Sequence, residues 1–259
     1  MADLKVLVLV KQTFNTEAKI QLTGDGGVDD KGIKLIVNPY DEYAIEEAVR
    51  MKEKGLASHV RLLTVGPEGS VEGLRQGLAM GADSATRVWD ASLAGIDNVS
   101  MANVLAAAIR KYEWNLILAG KVAVDDQAFE VPGRLSVLLD VPVINAAVKI
   151  DVSDGAVTVT RETDAGTETL EAKLPVLLTT EKGLNEPRYP PLPKIMKAKK
   201  MPIDELKPAD LGGDLLRQTV RITGHELPPP RSGAKMIKGK PAEAAAELVR
   251  LLREEAKVL

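Results

Sequence analysis

Leu4 to Val10 is a continuous apolar run broken only by Lys5. A strand of that composition is buried on both faces, a situation that parallel sheets covered by helices provide. The same kind of run returns at Val60 to Val65 and at Asn115 to Ala119, with a shorter strand at Thr86 to Trp89. Helical patterns lie between them. Asn38-Pro39-Tyr40-Asp41 reads as a helix start, with Asn38 as N-cap, Pro39 at the first helical position and Asp41 where a capping-box acid stands. The stripe Ala44, Ile45, Ala48, Val49 and Met51 follows and ends near Gly55. Ser70 to Met80 is helical despite Gly73 and Gly77, whose missing side chains let a helix press on a sheet. Ser100 to Tyr112 is an alanine-rich helix. The order βαβαβαβ with short connections predicts a doubly wound, mainly parallel, Rossmann-like α/β sheet.

The pattern changes near residue 142. Residues 144–180 read as three or four alternating strands, with hairpin turns at Ser153-Asp154-Gly155 and Asp164-Ala165-Gly166. Residues 23–32 are turn-forming and join a small excursion. In 184–200, Pro187, Pro190, Pro191 and Pro193 predict a stiff surface loop with neither helix nor central strand. There Tyr189, Leu192, Ile195 and Met196 stand among Lys194, Lys197, Lys199 and Lys200. An apolar anchor, Leu192, within a charged rim reads as a docking device. A strand is expected around Thr219 to Ile222, a semi-rigid spacer at Pro228-Pro229-Pro230, and an amphipathic helix from Pro241 to Val258. That helix packs either on a partner chain or back on its own domain. The expected division is one α/β domain over 1–225 and a C-terminal arm over 226–259.

Several functions lose support. A net charge of −3 and 3% aromatic residues argue against nucleic-acid or membrane-surface binding. There is no cysteine, and His59 and His225 are far apart, so no metal site is expected. No apolar run reaches the roughly 18 residues of a membrane span, and the N-terminus enters a strand at once, so a cytoplasmic setting is expected. Neither GxGxxG nor GxxxxGK[ST] occurs. A doubly wound sheet still binds ligands at the carboxyl ends of its strands. The loops there hold Leu9 to Gln12, Asn38 to Asp41, Val65-Gly66-Pro67 and Gly120 to Val131. In the last, Gly120 allows close backbone approach and Asp125 and Asp126 can accept from a ribose, while the following helix start offers N–H groups to a phosphate. On spacing alone, a plain strand-to-helix turn capped by aspartate accounts for it at least as well. No third ligand or nucleophile stands nearby, so no catalytic residue is assigned.

Asn185-Glu186-Pro187-Arg188-Tyr189, Leu192-Pro193 and Ile195-Met196-Lys197-Ala198-Lys199-Lys200 together resemble the signature of the electron-transfer flavoprotein beta subunit. Val8-Leu9-Val10-Lys11-Gln12, Asn38-Pro39-Tyr40-Asp41 with Glu46-Glu47-Ala48-Val49, Gly77 to Asp83, and Gly120-Lys121 with Asp125-Asp126 extend the likeness over essentially the whole chain. The resemblance implies a heterodimer with an alpha subunit that holds most of an FAD in a mobile domain. It implies a structural AMP in the beta subunit and no turnover of its own. The AMP pocket would map to Leu9, Asn38, Pro39, Tyr40, Asp41, Val65, Gly120, Lys121, Val122, Ala123, Val124, Asp125, Asp126, Gln127, Ala128 and Val131. Tyr40 would lie near the dimethylbenzene edge of the flavin. Leu192 would insert into a flavin dehydrogenase, with Tyr189, Pro193, Ile195 and Met196 around it and Lys197 and Lys200 flanking. Glu162 would pair with an arginine of the alpha subunit. Electrons would pass from acyl-CoA, amine or other flavin dehydrogenases to a quinone oxidoreductase. Family members commonly read Asp-Asp-Asp followed by Gln-Val-Gly or Gln-Thr-Gly; here Gln127 to Gly133 replaces that element. Glu130 brings negative charge toward a phosphate, and Pro132 removes an N–H. The non-bifurcating group is the nearer match. The alternatives are a bifurcating subunit with a second FAD in place of AMP, and a nucleotide-binding regulatory α/β domain.

Overall fold

The structure, a computed structural model, describes residues 4–29, 31–230 and 233–259. The chain runs β1 (Leu4–Leu9), four short strands β2 (Gln12–Phe14), β3 (Gln21–Leu22), β4 (Val28–Asp29) and β5 (Leu35–Val37), then α1 (Pro39–Glu53) and β6 (Ala57–Val65). Next come α2 (Val71–Met80), β7 (Ser84–Val88), α3 (Asn98–Ile109), β8 (Leu116–Gly120) and α4 (Val131–Leu139). The strands β9 (Val143–Ser153), β10 (Ala156–Thr163), β11 (Gly166–Lys173) and β12 (Val176–Thr180) follow. The last elements are α5 (Leu192–Lys200), β13 (Asp204–Leu206), α6 (Pro208–Leu211) and α7 (Pro241–Glu254).

Among the described residues, nine strands form one sheet in the order β11-β10-β9-β12-β8-β1-β6-β7-β13. Its pairs are parallel from β9 to β13, and the antiparallel hairpins β9-β10-β11 extend one edge. The expected doubly wound sheet therefore forms. Period-two alternation along β1 explains its two cores. Val6 and Val8 pack with Ile45, Ala48, Leu74 and Leu78 of α1 and α2. Leu7 and Leu9 point the other way, to Val104, Leu105, Ile109 and Leu135 of α3 and α4. Gly77 is where α2 comes closest: a Cβ there would lie 2.5 Å from Leu62 Cδ1 and 3.3 Å from Ile45 Cδ1.

This larger unit comprises the segment ending at Ile20 together with Asp29–Thr223. A second unit comprises Gln21–Val28 and Gly224–Leu259. In it, the His225 N–H donates to Gly26 O at 3.1 Å, and Lys235 pairs with Glu255 beyond α7.

Three expectations are corrected. A helix, α5, begins inside the segment expected to be a loop throughout. Pro191 is its N-cap and Pro193 lies in its first turn, where backbone N–H groups have no intrahelical partner to lose, so the prolines start the helix instead of preventing one. No strand forms at Thr219 to Ile222. The N–H groups of Thr219 and Val220 go instead to Asp97 Oδ2, which leaves no ladder to extend. Asn38 and Asp41 do not make the expected side-chain capping box. Both side chains are engaged elsewhere, as described next.

Candidate functional site

Where β1, β8 and β12 end, the chain ties four loops together through three buried polar side chains. Asn38 donates from Nδ2 to Asp41 Oδ1 and to Val122 O, both at 2.9 Å, and its Oδ1 accepts the Val124 N–H at 3.2 Å. Asp41 accepts the Lys11 N–H at 2.7 Å and the Gly120 N–H at 3.0 Å. Thr180, at the end of β12, donates from its hydroxyl to Tyr40 O at 2.8 Å. Gly120 is required by this crowding. A Cβ there would collide with Asp41 Oδ1 and lie 2.7 Å from Tyr40 Cβ. Burial pushes the Asp41 carboxyl up to about 7, against the Asn38, Lys11 and Gly120 donors and the Lys11 charge, which pull it down.

A cleft of about 160 Å³ opens beside this knot. Of the residues expected there, Leu9, Asn38, Asp41, Val65, Gly120, Lys121, Val122, Ala123, Asp126, Ala128 and Val131 line it. Pro39, Tyr40, Val124, Asp125 and Gln127 lie outside the lining. Pro39 and Tyr40 open α1. Val124 is spent on Asn38, and Asp125 holds Lys11 Nζ at 2.7 Å. Gln127 turns through a left-handed φ of 49°. Asn98, Met101 and Leu105 of α3 complete the wall, together with Val10, Lys11 and Leu63. The α3 residues could not be found from sequence, because only the fold brings that helix to this end of the sheet. Lys11 was within reach, since it stands in a strand-end loop.

The charges of the cleft are largely committed. Lys11 bridges Asp125 and Asp126, and Lys121 pairs with Glu181 while its Nζ sits 5.4 Å from the Tyr40 ring centroid. Glu130 lines the cleft at the start of α4 and holds Arg134 at 2.9 Å. An AMP fits this cleft in part. The walls of Leu9, Leu63, Val65, Met101 and Leu105 suit a flat base. At the Phe129-Glu130-Val131-Pro132 end a carboxylate and a residue without an N–H oppose a phosphate, while the N–H groups of Val131 and Gly133 in the first turn of α4 have no intrahelical partner and favour one.

The docking candidates form a separate surface. Tyr189 is 92% exposed, Leu192 69% and Met196 51%. Pro193, Lys197 and Lys200 are also exposed, whereas Ile195 packs partly against the core. This segment is held from beneath by α1 and α2. Arg188 donates from Nε to Glu46 Oε2 at 2.9 Å and from its guanidinium to Glu53 at 2.8 Å. Asn185 Nδ2 donates to Tyr43 O and to Glu47 Oε2, both at 3.0 Å, and Arg75 donates to Ala198 O at 2.6 Å. Burial lifts the Glu46 carboxyl, but hydrogen bonds from Arg188 and Arg50 outweigh it and leave it below the usual range. Hydrogen bonds to Glu53 and Glu46 raise Arg188 correspondingly. Glu162 is exposed on β10, opposite Thr167 of β11. Among the described residues, no cluster of His, Asp or Glu could hold a metal ion, and no helix is long and apolar enough to cross a membrane.

The fold is thus a Rossmann-like α/β sheet with a cleft at its strand ends and a braced segment of exposed apolar side chains. Comparison with known proteins narrows it. The family described as electron transfer flavoprotein domain matches residues 25–211. The chain is 42% identical over 259 residues to an electron transfer flavoprotein subunit beta of Bacillus subtilis, covering 99% of this chain and all of the relative. It is 39% identical to the subunit beta of Syntrophomonas wolfei over 99% of this chain and 98% of that one. It is likewise 39% identical to the Homo sapiens subunit beta over 98% of each. The chain belongs to the electron transfer flavoprotein family, as a beta subunit.

Proposed function

We propose that this chain works with an alpha subunit as a carrier that docks flavin dehydrogenases through Leu192 and delivers their electrons to a quinone oxidoreductase, in a cytoplasmic setting. The observation that carries the reading is an exposed leucine in the first turn of α5, set on a segment that α1 grips through Arg188 and Asn185. A side chain presented on a braced support loses little entropy on binding, so burying it stabilises the encounter. Lys197 and Lys200 beside it steer an acidic partner surface by charge.

FAD, held mainly by the alpha subunit, supplies the redox chemistry when bound. This chain's contribution toward it is the Tyr40 ring with the Lys121 ammonium beside it. An apolar ring and a neighbouring cation suit the dimethylbenzene edge of a flavin. Glu162 pairs with an arginine of the alpha subunit, and the C-terminal arm over 226–259, with α7, packs on that subunit. No side chain of this reading transfers a proton or forms a bond to substrate, which is why the chain is proposed as a carrier without its own turnover.

Leu192→Ala tests it. At about 0.8 kcal/mol per buried methylene, the loss is about 2 kcal/mol, or roughly 30-fold in apparent affinity for the dehydrogenase. Dehydrogenase-dependent reduction at low carrier concentration is expected to fall by that factor, with flavin content unchanged. A variant as fast as the natural protein would remove Leu192 from the contact.

A further inference from the structure

We propose that the groove between α2 and the 187–190 stretch receives a short apolar ridge of the docking dehydrogenase, bordered by carboxylates, so that the two proteins interlock in both directions. The inference rests on the docking reading and adds a receiving site to the Leu192 knob. The groove measures about 770 Å³ and follows α2 from Glu72 to Met80, about 12 Å at 1.5 Å per residue. β5 lines it with Leu35, Ile36 and Val37, α2 with Ala79 and Met80, and the 187–195 stretch with Pro187, Pro190 and Ile195. Leu35 remains 42% exposed there. Knob and groove lie side by side on α5. Leu192 and Met196 form one i, i+4 stripe of that helix; Ile195 and Lys199 form the next, and both line the groove. Tyr189 lines it as well, and no more than about 11 Å of chain joins it to Leu192. A stable interface covers about 800 Å² of each partner, so a protein that buries Leu192 also lies over the groove.

Charge fixes what borders the ridge. Arg75 is held by Ala198 O, Arg188 by Glu46, and Glu42 by the Gln76 amide at 2.6 Å. Among the described residues Lys34 and Lys199 have no ion pair, nor does Glu72. The uncommitted charges of the groove are thus two cations and one carboxylate, and Lys194, Lys197 and Lys200 stand on the same helix as Lys199. A margin of that sign selects carboxylates and repels another basic surface. It also argues against a second copy of this chain, whose Leu192 would bring these same lysines against Lys34 and Lys199.

The test uses the heterodimer and a purified flavin dehydrogenase that reduces it. Gly69 lines the groove, and a Cβ there would meet nothing within 4 Å, so Gly69→Phe fills open space without a clash. Lys34→Glu reverses one charge of the margin. Each is expected to raise the apparent KM for the heterodimer at least threefold, with flavin content as the control for assembly. The Lys34→Glu effect is expected to fade at about 1 M salt, where charges are screened beyond about 3 Å, whereas that of Gly69→Phe persists. A benzophenone photo-crosslinker placed at Leu35 is expected to capture the dehydrogenase. An unchanged KM for both variants, or capture of a second heterodimer or of nothing at Leu35, would overturn the proposal. Should Gly69→Phe fail to assemble, Lys34→Glu and the cross-link decide. Leu192→Ala, run in parallel, reads the docking assignment separately. A weakened Leu192→Ala with unaffected groove variants removes the groove alone, and no change in any of them removes both.

Discussion

Arg188→Met separates the exposed face of residues 189–200 from the support beneath it. The natural side chain donates to Glu46, which is almost wholly buried, and to Glu53, which is half exposed. A hydrogen bond to a buried charged partner contributes about 1.5–3 kcal/mol. The exposed half of the pair adds less than about 1 kcal/mol. Glu46 retains Arg50 at 2.6 Å, so its carboxylate is not stranded and the lower part of the range applies. The expected loss is therefore about 2 kcal/mol, concentrated in residues 184–200. Methionine keeps the apolar stem, so packing changes little. A local loss of that size raises the opened population of the segment roughly 30-fold, and limited proteolysis follows that population when reclosing is fast. The assay is cleavage between residues 184 and 200 in the heterodimer, alongside thermal unfolding. The double variant Glu46→Gln with Arg188→Met should cost less than the two single changes added together, because they share one interaction. The sign with pH is also fixed. Glu46 is held below its ordinary value, so its contribution is present above about pH 4.5 and fades as pH falls through the lower folded value. Cleavage of Arg188→Met within twofold of the natural protein would refute the clamp.

Two further predictions concern the knot at the cleft. Asp41 is pushed up to about 7, so between about pH 4 and 7 the folded state holds a proton that the unfolded state releases, and stability falls as pH rises through that window. Urea unfolding at pH 5 and pH 8 should show a fall for the natural protein about 2–3 kcal/mol larger than for Asp41→Asn; equal falls would contradict a buried titrating carboxyl. Gly120→Ala forces a methyl against Tyr40 and Asp41 and should cost about 1–3 kcal/mol, read as a lowered midpoint in the same unfolding experiment. An unchanged midpoint would mean that β8 can retreat from α1.

Much of the architecture was legible because burial leaves a plain trace. Leu4 to Val10 and Val60 to Val65 must hide both faces, and only a covered parallel sheet allows that. The hairpin turns at Asp154-Gly155 and Ala165-Gly166 were legible for an equally local reason, the need for left-handed backbone at glycine. The failures came where a residue has two uses. Proline forbids a helix interior but favours a helix start, and Pro193 exercised the second property. Thr219 to Ile222 has strand composition, yet a strand exists only with a neighbour, and Asp97 took the donors first. The short strand β13 gave no signal at all, since Asp204-Glu205-Leu206 carries no alternation long enough to read. In the cleft, the strand-end loops could be named from topology, whereas Met101 and Leu105 of α3 could not, because their approach is a tertiary fact.

Helix α1 has its first turn in the polar knot and its remaining length under Asn185 and Arg188. From Asp41 to Glu53 it spans about 18 Å at 1.5 Å per residue. One rod thus serves as floor for one surface and keel for the other. Exchanging 184–200 between relatives would transplant a figurehead without its hull. The graft would need Glu46, Glu47 and Glu53 of α1, and Arg75 of α2, to travel with it.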